Sequence, residues 1–218
     1  MNNKITDIIK GYPDIVRAKK PLIHHITNYV TVNDCANITL AAGAAPVMAD
    51  EPEEVKDIIS LSSALVINMG TLNKRTIESM FTAGREKKKK NIPVIFDPVG
   101  AGASTLRNET ASKILNEVKP SVIKGNLSEI LFLSGISSGA KGVDVSERDK
   151  NISCDVIREK IMKLAADAGC VVAVTGENDI ITDGENIIYV KNGHKIMYAV
   201  TGTGCMTASL TAVYCSIR

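Results

Sequence analysis

Tryptophan is absent from this 218-residue chain, and there are only three phenylalanines and five tyrosines, so aliphatic side chains must build its core. Net charge is equally scant. A formal balance of +2 gives no broad field to attract nucleic acid or an anionic membrane, and neither is expected as a partner. No apolar stretch approaches the roughly 20 residues that span a bilayer. The N-terminus, Met1-Asn2-Asn3-Lys4-Ile5-Thr6-Asp7, lacks the apolar centre of a secretory signal. The five cysteines, at 35, 154, 170, 205 and 215, form no CxxC pair and keep no zinc-like spacing with histidine. An odd set of thiols without a leader is the pattern of a reduced, cytoplasmic protein. Also missing is the Gly-Lys-Ser/Thr ending that would make a P-loop of the glycine-rich run at 100–104.

What is present is ordinary for a globular chain, with 44% hydrophobic and 23% charged residues. No linker, repeat or low-complexity tract divides it, so residues 1–218 read as a single domain. Ile5, Ile8, Ile9, Ile15 and Val16 have helical spacing, interrupted near Gly11-Tyr12-Pro13. After Pro21, Leu22-Ile23-His24-His25-Ile26 is strand-like. A helix is expected over Thr31–Ala42, with Val32, Cys35, Ala36 and Leu40 on one side. Another opens at Glu51-Pro52-Glu53-Glu54, where proline and acids suit a first turn. An alternation follows. Strands at Ala64–Asn68, Pro93–Asp97, Ser121–Lys124 and Val171–Thr175 interleave with helices at Lys74–Lys90, Thr105–Val118, from about Leu127, and at Ile152–Ala168. The run Lys87-Lys88-Lys89-Lys90 closes one of these helices, where cations complement the dipole. Residues 134–150, rich in Gly, Ser and charge, read as an exposed excursion.

Continuously apolar strands separated by helices imply a parallel sheet covered on both faces. Beyond Gly176 the segments shorten to Asp179–Gly184 and Asn186–Val190, around an Asp-Gly turn. Asn192-Gly193 then signals a further hairpin into a strand over Ile196–Val200. The expected architecture is α/β: a mostly parallel sheet between helical layers, with an antiparallel edge.

In open α/β sheets, ligands bind past the carboxyl ends of the strands. Asn28, Asn68, Gly70, Asp97, Lys124, Asn126, Glu129, Thr175 and Gly176 all fall at such ends. They converge on the run Val200-Thr201-Gly202-Thr203-Gly204-Cys205-Met206-Thr207-Ala208-Ser209. Its glycines let the backbone approach a ligand, and the first turn of the following helix offers N–H groups to an anion. Cys205 stands at the positive end of that helix. The local reading is an anion cradle containing a thiol. Asp97 and Glu129, two carboxylates with no clustered His or Cys, suit a hard cation such as Mg²⁺ better than zinc. Equally, Asp97 could cap its loop and Glu129 could serve only its helix dipole. His24 and His25, adjacent in a strand, point to opposite faces and lack a metal partner. Cys35, Cys154, Cys170 and Cys215 read as small apolar packing residues.

With these residues in view the chain resembles hydroxyethylthiazole kinases, within the ribokinase-like superfamily, from about Pro21 onward. The carrying motifs are His25-Ile26-Thr27-Asn28-Tyr29-Val30-Thr31-Val32-Asn33-Asp34-Cys35-Ala36-Asn37, Pro46-Val47-Met48-Ala49, Ile67-Asn68-Met69-Gly70-Thr71-Leu72, Asp97-Pro98-Val99-Gly100-Ala101, Gly125-Asn126-Leu127-Ser128-Glu129-Ile130 and Thr201-Gly202-Thr203-Gly204-Cys205. The resemblance implies a ribokinase-like three-layer fold. It implies transfer of the ATP γ-phosphoryl group to the primary alcohol of 5-(2-hydroxyethyl)-4-methylthiazole, in thiamine biosynthesis and salvage. Cys205 would replace the aspartate base that most ribokinase-like enzymes carry at this turn. The N–H groups around Gly202–Cys205 would stabilise the transferring phosphoryl. Asp97 and Glu129 match positions that organise Mg²⁺, Lys124 and Thr175 match nucleotide-phosphate positions, and Met48, Gly202 and Asn28 match the thiazole pocket. A homotrimer with the thiazole site near a subunit boundary is implied too.

The chain departs from the family at Lys124, where arginine is common: the charge stays but the bidentate fork is lost. It also stops at Ala212–Arg218, inside what reads as a continuing apolar helix, so a domain lacking the relatives' further C-terminal helices is expected. Rival expectations are a kinase for another small alcohol such as hydroxymethylpyrimidine, a catalytically silent thiazole-binding homologue, and a thiol hydrolase pairing Cys205 with His24, His25 or His194.

Overall fold

Runs of consecutive apolar residues form the inner strands of one sheet, as runs buried on both faces must. The computed structural model describes residues 9–136 and 153–217. In chain order the elements are α1 (Tyr12–Lys19), β1 (Leu22–Ile26), α2 (Val32–Ala41), β2 (Ala45–Val47), α3 (Val55–Leu61), β3 (Ala64–Asn68), α4 (Lys74–Lys90), β4 (Val94–Asp97) and α5 (Thr105–Lys113). They continue with β5 (Val122–Asn126), α6 (Leu127–Leu133), α7 (Cys154–Ala168), β6 (Val171–Thr175), β7 (Asp179–Thr182), β8 (Ile187–Val190) and α8 (Thr203–Cys215). The eight strands lie in the order β2-β1-β3-β4-β5-β6-β7-β8. Pairing is parallel from β2 to β6 and antiparallel from β6 through β7 to β8, so the expected parallel sheet with an antiparallel edge is present.

Alternation along the strands divides the core between the two faces. Leu65 and Ile67 of β3 pack with Val55, Ile59 and Met80 of α3 and α4. Val66 points the other way, to Ala208, Ala212 and Val213 of α8, whose small side chains let that helix lie close to the sheet. Four helix starts are fixed by side chains taken from the sequence immediately ahead. Asn73 and Asn126 form capping boxes for α4 and α6, and Ser104 and Ser153 cap α5 and α7. Register then aligns the functional ends. Asn68 pairs with Asp97 across β3–β4, and Asn126 with Thr175 across β5–β6.

Several local expectations are corrected. Ile196–Val200 is not a strand: Lys195–Ala199 is a 3₁₀ helix, begun where His194 Nδ1 accepts from Ile196 N, and its side chains are exposed. A short apolar run does not distinguish a buried strand from an exposed turn of helix. The Asn192-Gly193 signal therefore closes no hairpin. The helix expected over Thr105–Val118 is α-helical only to Lys113 and continues as a π turn over Ile114–Val118. The buried residues of α2 are Cys35 and Thr39, and Leu40 faces outward. Cys154 is exposed at the start of α7 rather than packed. Most of the excursion expected at 134–150, from 137 on, lies outside the described residues, as do residues 3–8 of the first predicted helix. Among the described residues, no helix is long and apolar enough to cross a membrane.

Candidate active site

The carboxyl ends of β1, β3, β4 and β5 meet the N-terminus of α8, and the polar side chains found there form one connected network. Asp97, the last residue of β4, is buried; its Oδ1 lies 3.3 Å from Lys124 Nζ and its Oδ2 accepts from Asn68 Nδ2 at 2.9 Å. Asn68 Nδ2 also reaches Cys205 Sγ at 3.3 Å, and Asn28 Nδ2 approaches the same sulfur at 3.4 Å. Asn28 in turn donates to Asn68 Oδ1 at 2.9 Å, and its own Oδ1 accepts from Thr31 N and Thr31 Oγ1, both at 3.1 Å.

The glycine turn closes over this network. Gly202 has φ +85°, a left-handed conformation that favours glycine, and an added Cβ would stand 2.6 Å from Thr31 Cγ2. At Gly204 an added Cβ would lie 3.0 Å from Lys124 Nζ, so the lysine ammonium reaches the underside of the turn. The first intrahelical bond of α8 runs from Met206 N to Gly202 O, and the N–H groups of Thr203, Gly204 and Cys205 therefore precede the ladder. A buried ammonium lies beside them, so the donors that the sequence reading assigns to an anion cradle are grouped at this turn.

Glu129 stands on the first turn of α6. Its Oε2 accepts from Asn126 N at 2.8 Å within the capping box, and its Oε1 accepts from Gly100 N at 2.9 Å in the loop after β4. The glutamate thus caps its helix and also ties two active-site loops together. Burial, then the charge of Asp97, pushes its carboxyl up to about 7, against the pull of the two N–H donors. Burial likewise raises Asp97, opposed by Lys124 and Asn68. Burial pushes the Lys124 ammonium down, but Asp97 and Glu129 outweigh it and hold the lysine above its ordinary range. The charges of both acids thus act on one lysine ammonium.

Thr175 ends β6 and donates through Oγ1 to Gly125 O at 3.2 Å, which places it beside the Lys124 strand. Met48 lies outside the network, half-buried just past edge strand β2. The histidines point to opposite faces as expected. His24 Nε2 meets Ala49 O at 2.7 Å, whereas His25 Nε2 meets Ser209 Oγ at 3.2 Å. Burial lowers both, His25 to about 4. His25 reaches the cradle helix through Ser209, which donates to the Cys205 carbonyl and not to its sulfur.

One contributor was not legible in the sequence. Arg107, in the first turn of α5, donates to Met69 O, to Val99 O at 2.6 Å and to Gly70 O at 2.8 Å. It clamps the loop after β3 to the loop after β4. No spacing rule marks a side chain that binds the carbonyls of neighbouring loops.

The parallel sheet thus carries a buried acid, a buried lysine and free helix N–H groups at one set of strand ends, and its architecture is that of ribokinase-like proteins. The fold likeness extends to a ribokinase-like superfamily protein from Enterococcus faecalis V583, at TM-score 0.62 and 12% identity over 94% of this chain and 78% of that one. The chain belongs to the Hydroxyethylthiazole kinase family, whose profile matches residues 14–218. It is 61% identical over 202 residues to a hydroxyethylthiazole kinase of Ruminiclostridium cellulolyticum, covering 92% of this chain and 72% of the relative. A second hydroxyethylthiazole kinase, from Clostridium beijerinckii, is 55% identical over 99% of this chain and 78% of its own length. The structure of a hydroxyethylthiazole kinase protein from Pyrococcus horikoshii OT3 superposes with TM-score 0.85 at 38% identity, covering 97% and 78% of the two chains.

Proposed function

We propose that this chain, as one domain over residues 1–218, transfers the γ-phosphoryl group of ATP to the hydroxyl of 5-(2-hydroxyethyl)-4-methylthiazole, in thiamine biosynthesis and salvage. The carrying observation is the convergence of Lys124 Nζ and the Gly202–Cys205 turn above buried Asp97. There the N–H groups opening α8 and the lysine ammonium meet the charge that spreads over the phosphoryl oxygens in the transition state. Lys124 and Thr175 hold nucleotide phosphates, and Met48, Gly202 and Asn28 line the thiazole pocket. Cys205 takes the hydroxyl proton as the base. Positioning and charge stabilisation carry most of the rate, because a thiol is a modest base.

The donor set fits Mg²⁺. Asp97 and Glu129 are hard oxygen donors whose mutual repulsion a cation relieves, and magnesium commonly takes one or two carboxylates, completing its shell with water and phosphate. Bound there, the ion would supply charge neutralisation to the phosphate oxygens.

Exposed apolar side chains flank the site in sequence. Tyr29 and Val30 follow Asn28, while Ile196, Tyr198 and Val200 precede the glycine turn. They support a subunit contact beside the site; the state proposed is a homotrimer with the pocket near a subunit boundary, which light scattering on the purified protein would test. A cytoplasmic location belongs to the same reading. The hydrolase alternative has no support in the contacts of Cys205, whose sulfur meets two amides and no imidazole. The function is tested by ADP release with the thiazole, pyrimidine and pyridoxal alcohols side by side. Release with the thiazole alcohol alone supports the reading. A preference for another alcohol, or thiazole binding without ADP, contradicts it.

A further inference from the structure

Asn28 and Asn68, at the ends of adjacent strands, aim their amide nitrogens at one sulfur, and their orientation is set by groups that can only donate. Gly70 N donates to Asn68 Oδ1 at 2.8 Å, and Thr31 N donates to Asn28 Oδ1 at 3.1 Å. Each backbone N–H requires oxygen on its side, so the NH₂ of each amide must face the other way. The hydrogens are then accounted for. Asn28 Nδ2 gives one to Asn68 Oδ1 and one to Cys205 Sγ; Asn68 Nδ2 gives one to Asp97 Oδ2 and one to Cys205 Sγ. Asn68 Oδ1 meanwhile accepts from both Gly70 and Asn28, so the Asn68 amide is saturated and, at 2% exposure, cannot turn to water.

We propose that Asn68, braced by Asn28, is a positioning residue that holds Cys205 Sγ as a hydrogen-bond acceptor and ties it to the Asp97 carboxylate. The inference rests on the kinase reading of the site. The sulfur receives two N–H groups. Two lone pairs of the sulfur are engaged by the amides, so proton acceptance falls to the third lone pair, which only the thiolate form carries, on a half-buried atom. Asn68 sets the distance between the proton acceptor and the carboxylate end of β4 through one rigid amide.

The test combines kinetics on Asn68→Ala, Asn68→Ser, Cys205→Ala and the Asn68→Ala/Cys205→Ala double variant with calorimetric binding of the thiazole alcohol in the absence of nucleotide. Asn68→Ala is expected to lower kcat by about ten- to hundredfold, the range for a hydrogen bond to a charged group, with little change in alcohol binding. Asn68→Ser, which keeps a donor, recovers part of the loss. In the Cys205→Ala background the same Asn68 change has little further effect. An equal loss in both backgrounds, or weakened binding with kcat intact, overturns the assignment. A separate arm needs no turnover: iodoacetamide labelling of Cys205, read by mass spectrometry against exposed Cys154 in the same molecule. Removing the Asn68 donor is expected to slow Cys205 labelling several-fold even though it opens space, and unchanged or faster labelling overturns the proposal. Should the parent release no ADP, the kinase reading fails while this arm still decides the role of Asn68.

Discussion

The ammonium of Lys124 and the carboxylate of Asp97 lie 3.3 Å apart with their side chains only 5% and 1% exposed, a buried ion pair between two central parallel strands. Removing one partner strands the other charge. Lys124→Met is expected to cost about 3–5 kcal/mol of stability, and Lys124→Met/Asp97→Asn to recover much of it. Urea unfolding of both variants measures this; equal losses in the single and double variants would show that the pair is not coupled.

Cys205 is met by donors alone from the Asn28 and Asn68 side chains, and a carboxylate accepts such bonds at least as well as sulfur. Cys205→Asp is therefore expected to retain or raise kcat. A folded variant without measurable turnover would count against a base at this position.

Much of this arrangement was legible in the sequence, for a physical reason. Continuously apolar runs such as Ala64–Asn68 have few alternatives to a covered parallel strand, and a parallel sheet brings the residue after each strand to one edge. Asp97, Lys124 and Glu129 could thus be grouped without a structure. The lateral bonds could not. Asn68 and Cys205 are 137 positions apart, and nothing in either segment says that an amide at one strand end meets a sulfur on a helix packed across the sheet. Arg107 escaped for the same reason, since its partners are backbone carbonyls and carry no residue signature. The misread strand at Ile196–Val200 shows the opposite failure: its apolar residues are exposed, so hydrophobicity there does not report burial.

The imidazole of His25, 1% exposed, is held at about 4 by burial, against an ordinary value of 6.5. The unfolded chain binds this proton first, so the contribution is complete above 6.5 and is lost as pH falls towards 4. The span corresponds to about 3 kcal/mol. Glu129, raised to about 7, acts in the reverse sense, its contribution being lost as pH rises through 7. Comparison with His25→Gln removes that opposing effect, because both proteins keep Glu129. The parent should lose stability relative to His25→Gln between pH 6.5 and 4 in denaturant melts; parallel curves would refute a buried neutral His25.

Gly202 combines φ +85° with contact against Thr31, where a Cβ would come to 2.6 Å of Cγ2. Gly202→Ala is expected to cost about 1–3 kcal/mol, from the left-handed backbone and the overlap together. Because Thr31 orients Asn28, turnover should fall as well. Thermal denaturation and kcat on one preparation test this, and an unchanged melting temperature would show that the turn has room to shift.

The most direct measurement is Mg²⁺-dependent ADP release from ATP with 5-(2-hydroxyethyl)-4-methylthiazole, followed by identification of the phosphorylated alcohol. The chain is predicted to release ADP in step with thiazole phosphate, to stop when the metal is chelated, and to fall sharply when Asp97 is replaced by alanine. Tight thiazole binding without phosphorylation, or turnover indifferent to Asp97, would contradict the account.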